Sequence, residues 1–574
     1  MKKNQIRKSV AALAMAAVVG VSLLGYGCGS KSASTAGGVS GATITSNAIK
    51  EAAAAALTAA GLNPDDYKTA VESDAAAEDS TVDADVVVVG AGGAGMTAAI
   101  TAAAEGKSVV ILESQSMVGG NSVRATGGMN AGKTVYQDEN EFGESAGVEK
   151  TLKTAAEKYA DNETITALAK TVSEQWAAYQ ANPTGYFDSV ELMELDTMIG
   201  GKGINDPELV ETLCANSADA IDWLDEHGIT LHSVSSFGGA SVKRIHRPVN
   251  AEGKTVSVGS YMIPLLQENC DKAGVQTLLN TTATELLTDA NGAVVGVKAT
   301  GSTGETITVN AKAVVLTTGG FGANLDMVTK YKPELKGFMT TNAAGAQGQG
   351  IEMATAVGAD TVDMDQIQIH PTVEANTAAL ITEGLRGDGA VLINAEGKRF
   401  IDEVGTRDVV SAAEIAQTGS YSWLVVDQAM VDASSVIQGY IKKGYTVTGE
   451  TYEELGKAMG VDEAAFAETM NTWNGYVEAK NDPDFGRTSF ANKLDTAPYY
   501  AIKVTAGVHH TMGGLKINTN TEVLNENGEI IPGLFAAGEV TGGVHGANRL
   551  GGNAVADFTV FGRIAGAAAS KYAA

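Results

Sequence analysis

The chain has very few cysteines. It contains three among 574 residues, at Cys28, Cys214 and Cys270. Three cysteines do not make a disulfide framework, and no pair or motif has the CxxC or CxxCH spacing that binds zinc, an iron–sulfur cluster or a c-type haem. The sequence therefore predicts no metal site and no haem, so any electrons that the protein carries travel on another group.

Positive charge is also scarce, with 40 Lys+Arg against 68 Asp+Glu and a formal net charge of -28. Such an acidic surface repels the phosphates of nucleic acids and membranes, which disfavours both as partners. The length predicts two to four domains at ~100–200 residues each. The 68 glycines and only 19% charged residues suit an α/β enzyme whose loops pass close to a ligand.

One apolar run, Val10 to Leu24, follows a positively charged start that contains Lys2, Lys3 and Arg7. This pattern is typical of a secretory signal, and the run is too short to predict a membrane span. Residues 1–28 are therefore predicted to be a signal peptide of an exported protein of the cell surface or periplasm. The residues around Cys28 resemble a bacterial lipoprotein cleavage site, so both a lipid anchor at Cys28 and simple cleavage stay open.

Residues 29–82 are rich in Ala, Ser, Thr, Gly and Asp, which predicts a tether with one alanine-rich helix. The hexapeptide Ser40 to Thr45 resembles the flavinylation motif of FMN-binding domains, in which the last threonine is joined to FMN. That resemblance implies covalent FMN at Thr45. The alternative is a Ser/Thr-rich turn that caps the following helix.

A dinucleotide site is predicted from Asp85 onward. The unbroken run Asp85 to Val89 predicts a buried parallel strand. The glycines Gly90, Gly92 and Gly95 then precede a helix predicted over Met96 to Glu105 and a strand over Val109 to Leu112 that ends in Glu113. Glycines let the backbone approach a pyrophosphate at the helix N-terminus, and an acid after the next strand can bind ribose hydroxyls.

Further glycine turns and a histidine-rich series carry a family resemblance. The glycine turns include the stretch GGVHGANRLGGNA at 542–554, and the other motifs are Phe237–Ser241, His246–Pro248, His370–Thr372 and His509–Gly514. Over Asp83 to Tyr572 the chain resembles the FAD-dependent fumarate reductase/succinate dehydrogenase flavoprotein family. It is most similar to the soluble flavocytochrome-type fumarate reductases, with urocanate-type reductases also alike, but it has no haem domain.

The resemblance implies an α/β fold, in which a Rossmann-like FAD-binding domain of residues 83–364 and 511–574 carries an inserted α+β clamp domain of residues 365–510. It implies non-covalent FAD, because the first glycine turns hold no histidine. The cofactor-binding residues that it implies, beside those of the dinucleotide motif, are Asn121, Gly127, Gly128, Gly319, Gly320, Glu539, Gly552, Asn553 and Ala554. His246 is predicted either to line the flavin side or to be structural.

Reduction of an activated C=C bond needs a hydride from flavin N5, a proton, and groups that absorb negative charge. By resemblance, Arg407 is the proton donor, and Glu383 and Arg386 resupply its proton. The residues that grip carboxylates are His370 with Thr382 at one end and His509 with Arg549 at the other. Taken singly, these residues also fit structural roles, such as a turn histidine or a surface ion pair.

The favoured hypothesis is an exported, flavin-dependent reductase of an α,β-unsaturated carboxylate, with fumarate as the substrate and a role in anaerobic respiration. The electrons would come from an external donor, which could be a flavin, quinol or cytochrome chain. Leu380 stands where flavocytochrome-type enzymes have a thioether, which keeps urocanate, methacrylate or cinnamate open as substrates. A dehydrogenase running in reverse and a non-catalytic flavin electron-transfer lipoprotein are further alternatives.

The flavinylation hypothesis makes a direct prediction. Protein produced together with a flavin transferase should carry the added mass of one FMN, and Thr45→Ala should lose it, because the phosphoester forms on that hydroxyl. Mass spectrometry of the intact protein measures both. Thr43→Ala serves as the matched control and should keep the added mass; wild-type protein without it would reject the hypothesis.

Overall fold

The computed structural model describes Thr58 and residues 77–574. The predictions on the signal peptide of residues 1–28, on Cys28 and on Thr45 fall outside these residues. Within the described part of the chain, no helix combines the length and the apolar character needed to cross a membrane.

The secondary structure alternates between strands and helices. The strands are β1 Ser80–Val89, β2 Val109–Leu112, β3 Met129–Asn130, β4 Ser233–Ser235, β5 Ile245–Arg247, β6 Gln276–Leu278, β7 Thr282–Thr288, β8 Val294–Thr300, β9 Thr306–Leu316, β10 Thr361–Val362, β11 Ile367–Glu374, β12 Val391–Ile393, β13 Ser422–Asp427, β14 Thr446–Gly449, β15 Tyr499–Thr511, β16 Gly514–Leu515, β17 Glu522–Leu524 and β18 Ile530–Ala536. The helices are α1 Gly93–Ala104, α2 Ser145–Lys158, α3 Glu163–Ala181, α4 Val190–Gly200, α5 Pro207–Ala215, α6 Ser217–Glu226, α7 Val258–Lys272, α8 Leu325–Tyr331, α9 Gln349–Ala356, α10 Gly384–Gly387, α11 Arg407–Ile415, α12 Gln428–Ala433, α13 Ser435–Lys442, α14 Tyr452–Met459, α15 Glu463–Ala479 and α16 Asn553–Tyr572.

The main sheet is built around β1, which pairs in parallel with β2 on one side and β9 on the other. Its strand order is β17-β18-β9-β1-β2-β6, with β8 and β7 added beside β9. Val86 to Val89 are buried because both faces of β1 are covered, which is why the run is unbroken rather than alternating. The predicted parallel strand and Rossmann-like α/β fold are confirmed.

Helix α1 begins at Gly93, three residues before the predicted start at Met96. Its cap is Gly92, and the glycines that follow the cap enter the first turn. Gly95 has no room for a side chain, since a Cβ there would lie 1.9 Å from the carbonyl oxygen of Gly90. The close packing fixes the N-terminus of α1 at the carboxyl end of β1.

A second sheet is antiparallel and has the order β11-β15-β13-β12, with β14 paired to β15. It belongs to a second hydrophobic core, whose buried residues run from Ile381 to Val504. The outer ends of β11 and β15 join the first core through Ile367 and Val508. The second core therefore lies inside the sequence range predicted for the clamp.

A third core, not separated from the FAD-binding domain in the sequence prediction, is helical and includes buried residues from Val148 to Val242. A fully buried guanidinium ties it to β5: Arg244 contacts Asp188 at 2.6 Å and Asp196 at 2.7 Å. A buried arginine is tolerated only when carboxylates satisfy it, so this triad fixes how the helices meet the small sheet β3-β5-β4.

Candidate active site

A cleft opens where several parallel strands end. Its lining includes residues that directly follow β1, β2, β9 and β18. The carboxyl ends of parallel strands are the usual binding edge of an open α/β sheet. The cleft continues to the second core, where Thr382, Glu383 and Arg407 also line it.

The nucleotide end of the cleft has the form that the glycine motif predicts. Gly90 has φ +108, and a Cβ there would lie 2.5 Å from the carbonyl oxygen of Thr317. The buried carboxylate of Glu113 accepts hydrogen bonds from the backbone N–H of Ala91 and of Gln115, at 2.9 and 2.8 Å. This combination fits a dinucleotide. Backbone without side chains and a helix N-terminus can bind its phosphates, and the acid after the second strand can bind ribose hydroxyls.

Most of the predicted cofactor residues share this lining. They are Gly90, Gly92, Glu113, Asn121, Gly127, Gly128, Gly319, Glu539, Gly552 and Ala554. Gly95, Gly320 and Asn553 lie behind the wall instead. A Cβ on Gly320 would meet Thr511 Oγ1 at 1.9 Å, and the Asn553 amide bonds to Asn130 and Thr197, so these three support the wall rather than form it.

The sequence predictions assigned no role to other lining residues, among them Thr126, Phe237, His510 and Asp557. The Phe237 ring lies where a Cβ on Gly127 or Gly551 would be, at 2.7 and 2.8 Å, so it fills the space that these glycines leave. The sequence feature that could have identified Phe237 is a large apolar residue directly before a pair of glycines. Asp557 is 2.7 Å from His545 Nε2, a contact across the start of α16 that spacing alone does not reveal.

His246 has a structural position. Its ring is fully buried, with Nε2 2.6 Å from Thr134 Oγ1 and Nδ1 2.9 Å from the carbonyl oxygen of Arg244. Burial lowers its pKa to about 4, and it does not line the cleft. Of the two predicted roles, the structural one fits these contacts.

The predicted catalytic residues form one continuous row. Arg407, the first residue of α11, donates from Nε and Nη2 to Glu383 Oε2 at 2.8 and 2.6 Å. Arg386 Nη2 lies 3.2 Å from the other carboxylate oxygen, Glu383 Oε1. All three side chains are buried, so Glu383 is a carboxylate between two guanidinium groups. Arg407 and Glu383 line the cleft, and Arg386 lies behind them.

Gln368, which the sequence predictions missed, connects this row to the glycine-rich stretch. Its Oε1 accepts a hydrogen bond from Arg407 Nη1 at 2.8 Å. Its Nε2 donates to Asn548 Oδ1 and to the carbonyl oxygen of Arg549, each at 2.7 Å. The sequence feature that could have identified Gln368 is its position two residues before His370 in a predicted strand, because alternate residues of a strand share a face.

The predicted substrate residues His370, Thr382, His509 and Arg549 all line the cleft beside Arg407. The rings of His370 and His509 have centroids 4.9 Å apart. The backbone N–H of Thr372 donates to His370 Nδ1 at 3.1 Å, which leaves the neutral ring with its proton on Nε2. In the described part of the chain, His370 Nε2 and Arg549 Nε are buried without a hydrogen-bond partner, as expected of groups that face a ligand.

The charges in this part of the cleft are mainly positive. Burial and the nearby arginines hold the pKa of His370 and of His509 well below the usual range, so both rings are neutral hydrogen-bonding groups. Burial raises the pKa of Glu383, but Arg407 and Arg386 outweigh it and leave that pKa lowered. Two arginines, Arg407 and Arg549, line this part of the cleft, and Arg386 lies behind them. Glu383 pairs with Arg407, whereas Glu539 and Asp557 act on Arg549 only through their charge, which leaves Arg549 able to bind an anionic ligand.

The fit of the nucleotide end to FAD can be tested at Gly95. Gly95→Ala should weaken FAD binding at least tenfold, because the added methyl group must displace the Gly90 turn. Gly475→Ala on α15 is the control, since a Cβ there meets nothing within 4 Å. Flavin absorbance of the purified, refolded proteins measures bound FAD, with circular dichroism to confirm folding; equal FAD content in the two variants would contradict the assignment.

Comparison with known proteins agrees with this geometry. A family model described as an FAD binding domain matches residues 85–186 and 175–555. The chain is 42% identical to the fumarate reductase (cytochrome) of Shewanella frigidimarina over 488 residues, which cover 85% of this chain and 77% of that protein. It is 37% identical to the urocanate reductase of Eggerthella lenta over 550 residues, covering 93% of this chain and 82% of that protein.

Among solved structures, the chain is similar to one of a flavocytochrome c3 fumarate reductase in its open conformation. The TM-score is 0.64 at 38% identity, covering 86% of this chain and 79% of the other. The predicted family, the predicted FAD cofactor and the predicted enzyme class are confirmed by these similarities. The chain belongs to the FAD-dependent fumarate reductase/succinate dehydrogenase flavoprotein family and is an FAD-dependent oxidoreductase.

Proposed function

We propose that the protein reduces the C=C bond of an unsaturated dicarboxylate, with fumarate converted to succinate. One observation carries the proposal: a buried arginine, Arg407, is held against Glu383 in the same cleft as His370, His509 and Arg549. A buried arginine that could donate a proton and groups that could bind carboxylates thus share one cleft with the predicted flavin site, which supports the proposal. The names of the two relatives above support the same class of reaction.

The charge balance favours a dianion over a monoanion. Arg407 and Arg549 repel one another across the cleft, and together with burial this repulsion lowers the pKa of Arg549. A substrate with two carboxylates relieves the repulsion at both ends. Arg549 can hold one carboxylate with its unpartnered Nε, and His370 can donate its Nε2 proton to the other.

Each turnover requires one hydride and one proton. Bound FAD in its reduced form supplies the hydride. Arg407 gives its proton to the neighbouring carbon of the substrate. Glu383, which is bonded to Arg407 and in contact with Arg386, then passes a replacement proton from Arg386 to Arg407. The relay suits a buried site, since the negative charge that develops on the substrate is stabilised most where water is excluded.

A second candidate is reduction of a monocarboxylate of the urocanate, methacrylate or cinnamate type. The observation in its favour is that Leu380, an apolar side chain, lines the cleft next to the predicted far-end ligand Thr382. An apolar substituent could lie there in place of the second carboxylate. The backbone of Leu380 is held in place, since its carbonyl oxygen accepts a hydrogen bond from the Tyr440 hydroxyl at 3.3 Å.

Arg407→Ala tests the proposal. Turnover of fumarate with a reduced viologen should fall by ~10³-fold or more with FAD still bound, because the proton donor is lost and the flavin site is not. Arg563→Ala, which changes an arginine on α16 over the Trp223 ring, is the control and should stay within a factor of about three of wild type.

Two results would count against the proposal. Retained turnover in Arg407→Ala would show that another group donates the proton. Absence of turnover in the wild type with every unsaturated acid would support the alternative of a non-catalytic electron-transfer protein. Such a protein would not need the row of ion pairs from Arg407 to Arg386.

Export, the lipid anchor at Cys28 and FMN at Thr45 stay predictions from the sequence. We propose that FMN at Thr45 delivers electrons from an external donor to FAD. The proposal predicts that Thr45→Ala leaves viologen-driven turnover unchanged, because a viologen reduces FAD directly.

A further inference from the structure

Glu414 is a buried carboxyl to which the reaction above assigns no role. It lies on α11 seven residues after Arg407, which is two helical turns and therefore the same face. Ser411 lies between them on that face, and Ser411 and Glu414 are both completely buried. A buried stripe thus runs from the proton donor along α11 into the second core.

The contacts of Glu414 are incomplete. Ser422, on β13, donates a hydrogen bond from Oγ to Glu414 Oε1 at 2.5 Å. In residues 77–574, Glu414 Oε2 has no hydrogen-bond partner, and neither does Arg386 Nε. Within these residues, the buried Glu414 carboxyl thus keeps one oxygen without a hydrogen bond, and the buried Arg386 guanidinium keeps two nitrogens without one, Nε and Nη2.

Glu414 and Arg386 are near enough for their charges to interact. Burial raises the pKa of Glu414 to about 8, even though the Ser422 hydrogen bond and the Arg386 charge both favour the carboxylate. Burial lowers the pKa of Arg386, and the charge of Glu414 is among the groups that oppose this. At neutral pH the Glu414 carboxyl therefore holds a proton, because burial disfavours a carboxylate that lacks a full set of hydrogen bonds.

Several charged groups surround this pair, since Glu383, Arg407 and Arg487 also act on Arg386. Arg386 faces Glu414 from α10, and Ser422 faces it from β13. Arg386 also lies 3.2 Å from Glu383 Oε1 and donates a hydrogen bond to the carbonyl oxygen of Glu403. Arg487 donates to the carbonyl oxygen of Arg386 at 2.7 Å, which fixes the Arg386 backbone.

We propose that Glu414 is the proton store of the relay and resupplies Arg386, which in turn resupplies Glu383 and Arg407. The inference rests on the proposed function. Arg407 gives one proton to the substrate carbon for each hydride transferred. Each member then takes one proton from the next. In residues 77–574 no direct hydrogen bond joins Glu414 to Arg386, so that step needs a bridging water, and Glu414, left as a carboxylate, is reprotonated from solvent before the next turnover. Glu414 touches no substrate and acts through Arg386.

Glu414→Gln keeps the size and the Ser422 contact but cannot release a proton. We expect kcat for fumarate to fall roughly tenfold, a smaller loss than removal of the donor itself. In the wild type, kcat should decline as pH rises through about 8, since the store empties above the pKa of Glu414. In Glu414→Gln this decline should be absent.

Glu194→Gln is the matched control. Glu194 is also buried with a raised pKa, to about 7, but it lies on α4 in the helical core. Its variant should keep the wild-type kcat and pH profile. Infrared difference spectra between about pH 6 and about pH 9.5 should show a protonated-carboxyl band that each glutamine variant loses separately.

Ser422→Ala provides a variant that keeps the carboxyl. Ser422 lowers the pKa of Glu414 by its hydrogen bond, so without it the decline in kcat should move to higher pH. An unchanged pH profile in both Glu414→Gln and Ser422→Ala would overturn the inference, as would the absence of a Glu414 band. A wild type without turnover would instead defeat the proposed function, and the infrared result would still report whether Glu414 holds a proton.

Discussion

The structure depends on one buried carboxylate, Glu383, between two arginines. Without it, Arg407 and Arg386 would be two buried cations with no counter-charge, which costs several kcal/mol per ion. Because Glu383 supplies a negative charge to both, a buried guanidinium can be kept beside neutral histidines. The same carboxylate lies between Arg407, which lines the cleft, and Arg386, which lies behind it, as the proposed proton relay requires.

The rest of the fold brings two separate cores to this ion row. The first core presents the nucleotide end and Arg549, and the second supplies Arg407 from the start of α11. Gln368 joins the two halves, and the ion pair of Lys202 with Asp408, at 2.7 Å, holds the first turn of α11 against the loop after α4. The position of the proton donor relative to the flavin site is therefore set by contacts between the cores.

Local patterns made the nucleotide end predictable. The run from Val86 to Val89, the glycine spacing and Glu113 each specify a backbone geometry within a few residues, and the structure places them together. The start of α1 was predicted three residues late, because Gly93 and Gly95 disfavour a helix locally. Glycine is required at both positions by close packing, of Gly93 against the Phe558 ring and of Gly95 against the Gly90 turn. Tertiary packing overrode propensity there.

At the other end of the cleft, most of the lining residues around Arg407 were predictable, but the hydrogen bonds that connect them were not. Family resemblance named Arg407 and Glu383, whereas the Gln368 amide bonds to Asn548, 180 positions further along the chain, and no spacing rule reveals such a bond. Glu414 was missed for a different reason: a glutamate on a helix is expected to be exposed, and only the packing of α11 against β13 shows that it is buried. The helical third core was missed because its boundaries carry no break in composition.

The central claim is that the cleft binds a substrate with a carboxylate at each end. Its most direct test is kcat/KM with reduced viologen for fumarate against methacrylate, urocanate and cinnamate. The loss of one charge-assisted hydrogen bond is worth ~1.5–3 kcal/mol, so fumarate should exceed each monocarboxylate by about tenfold to a hundredfold. A monocarboxylate that matches or exceeds fumarate would contradict the claim.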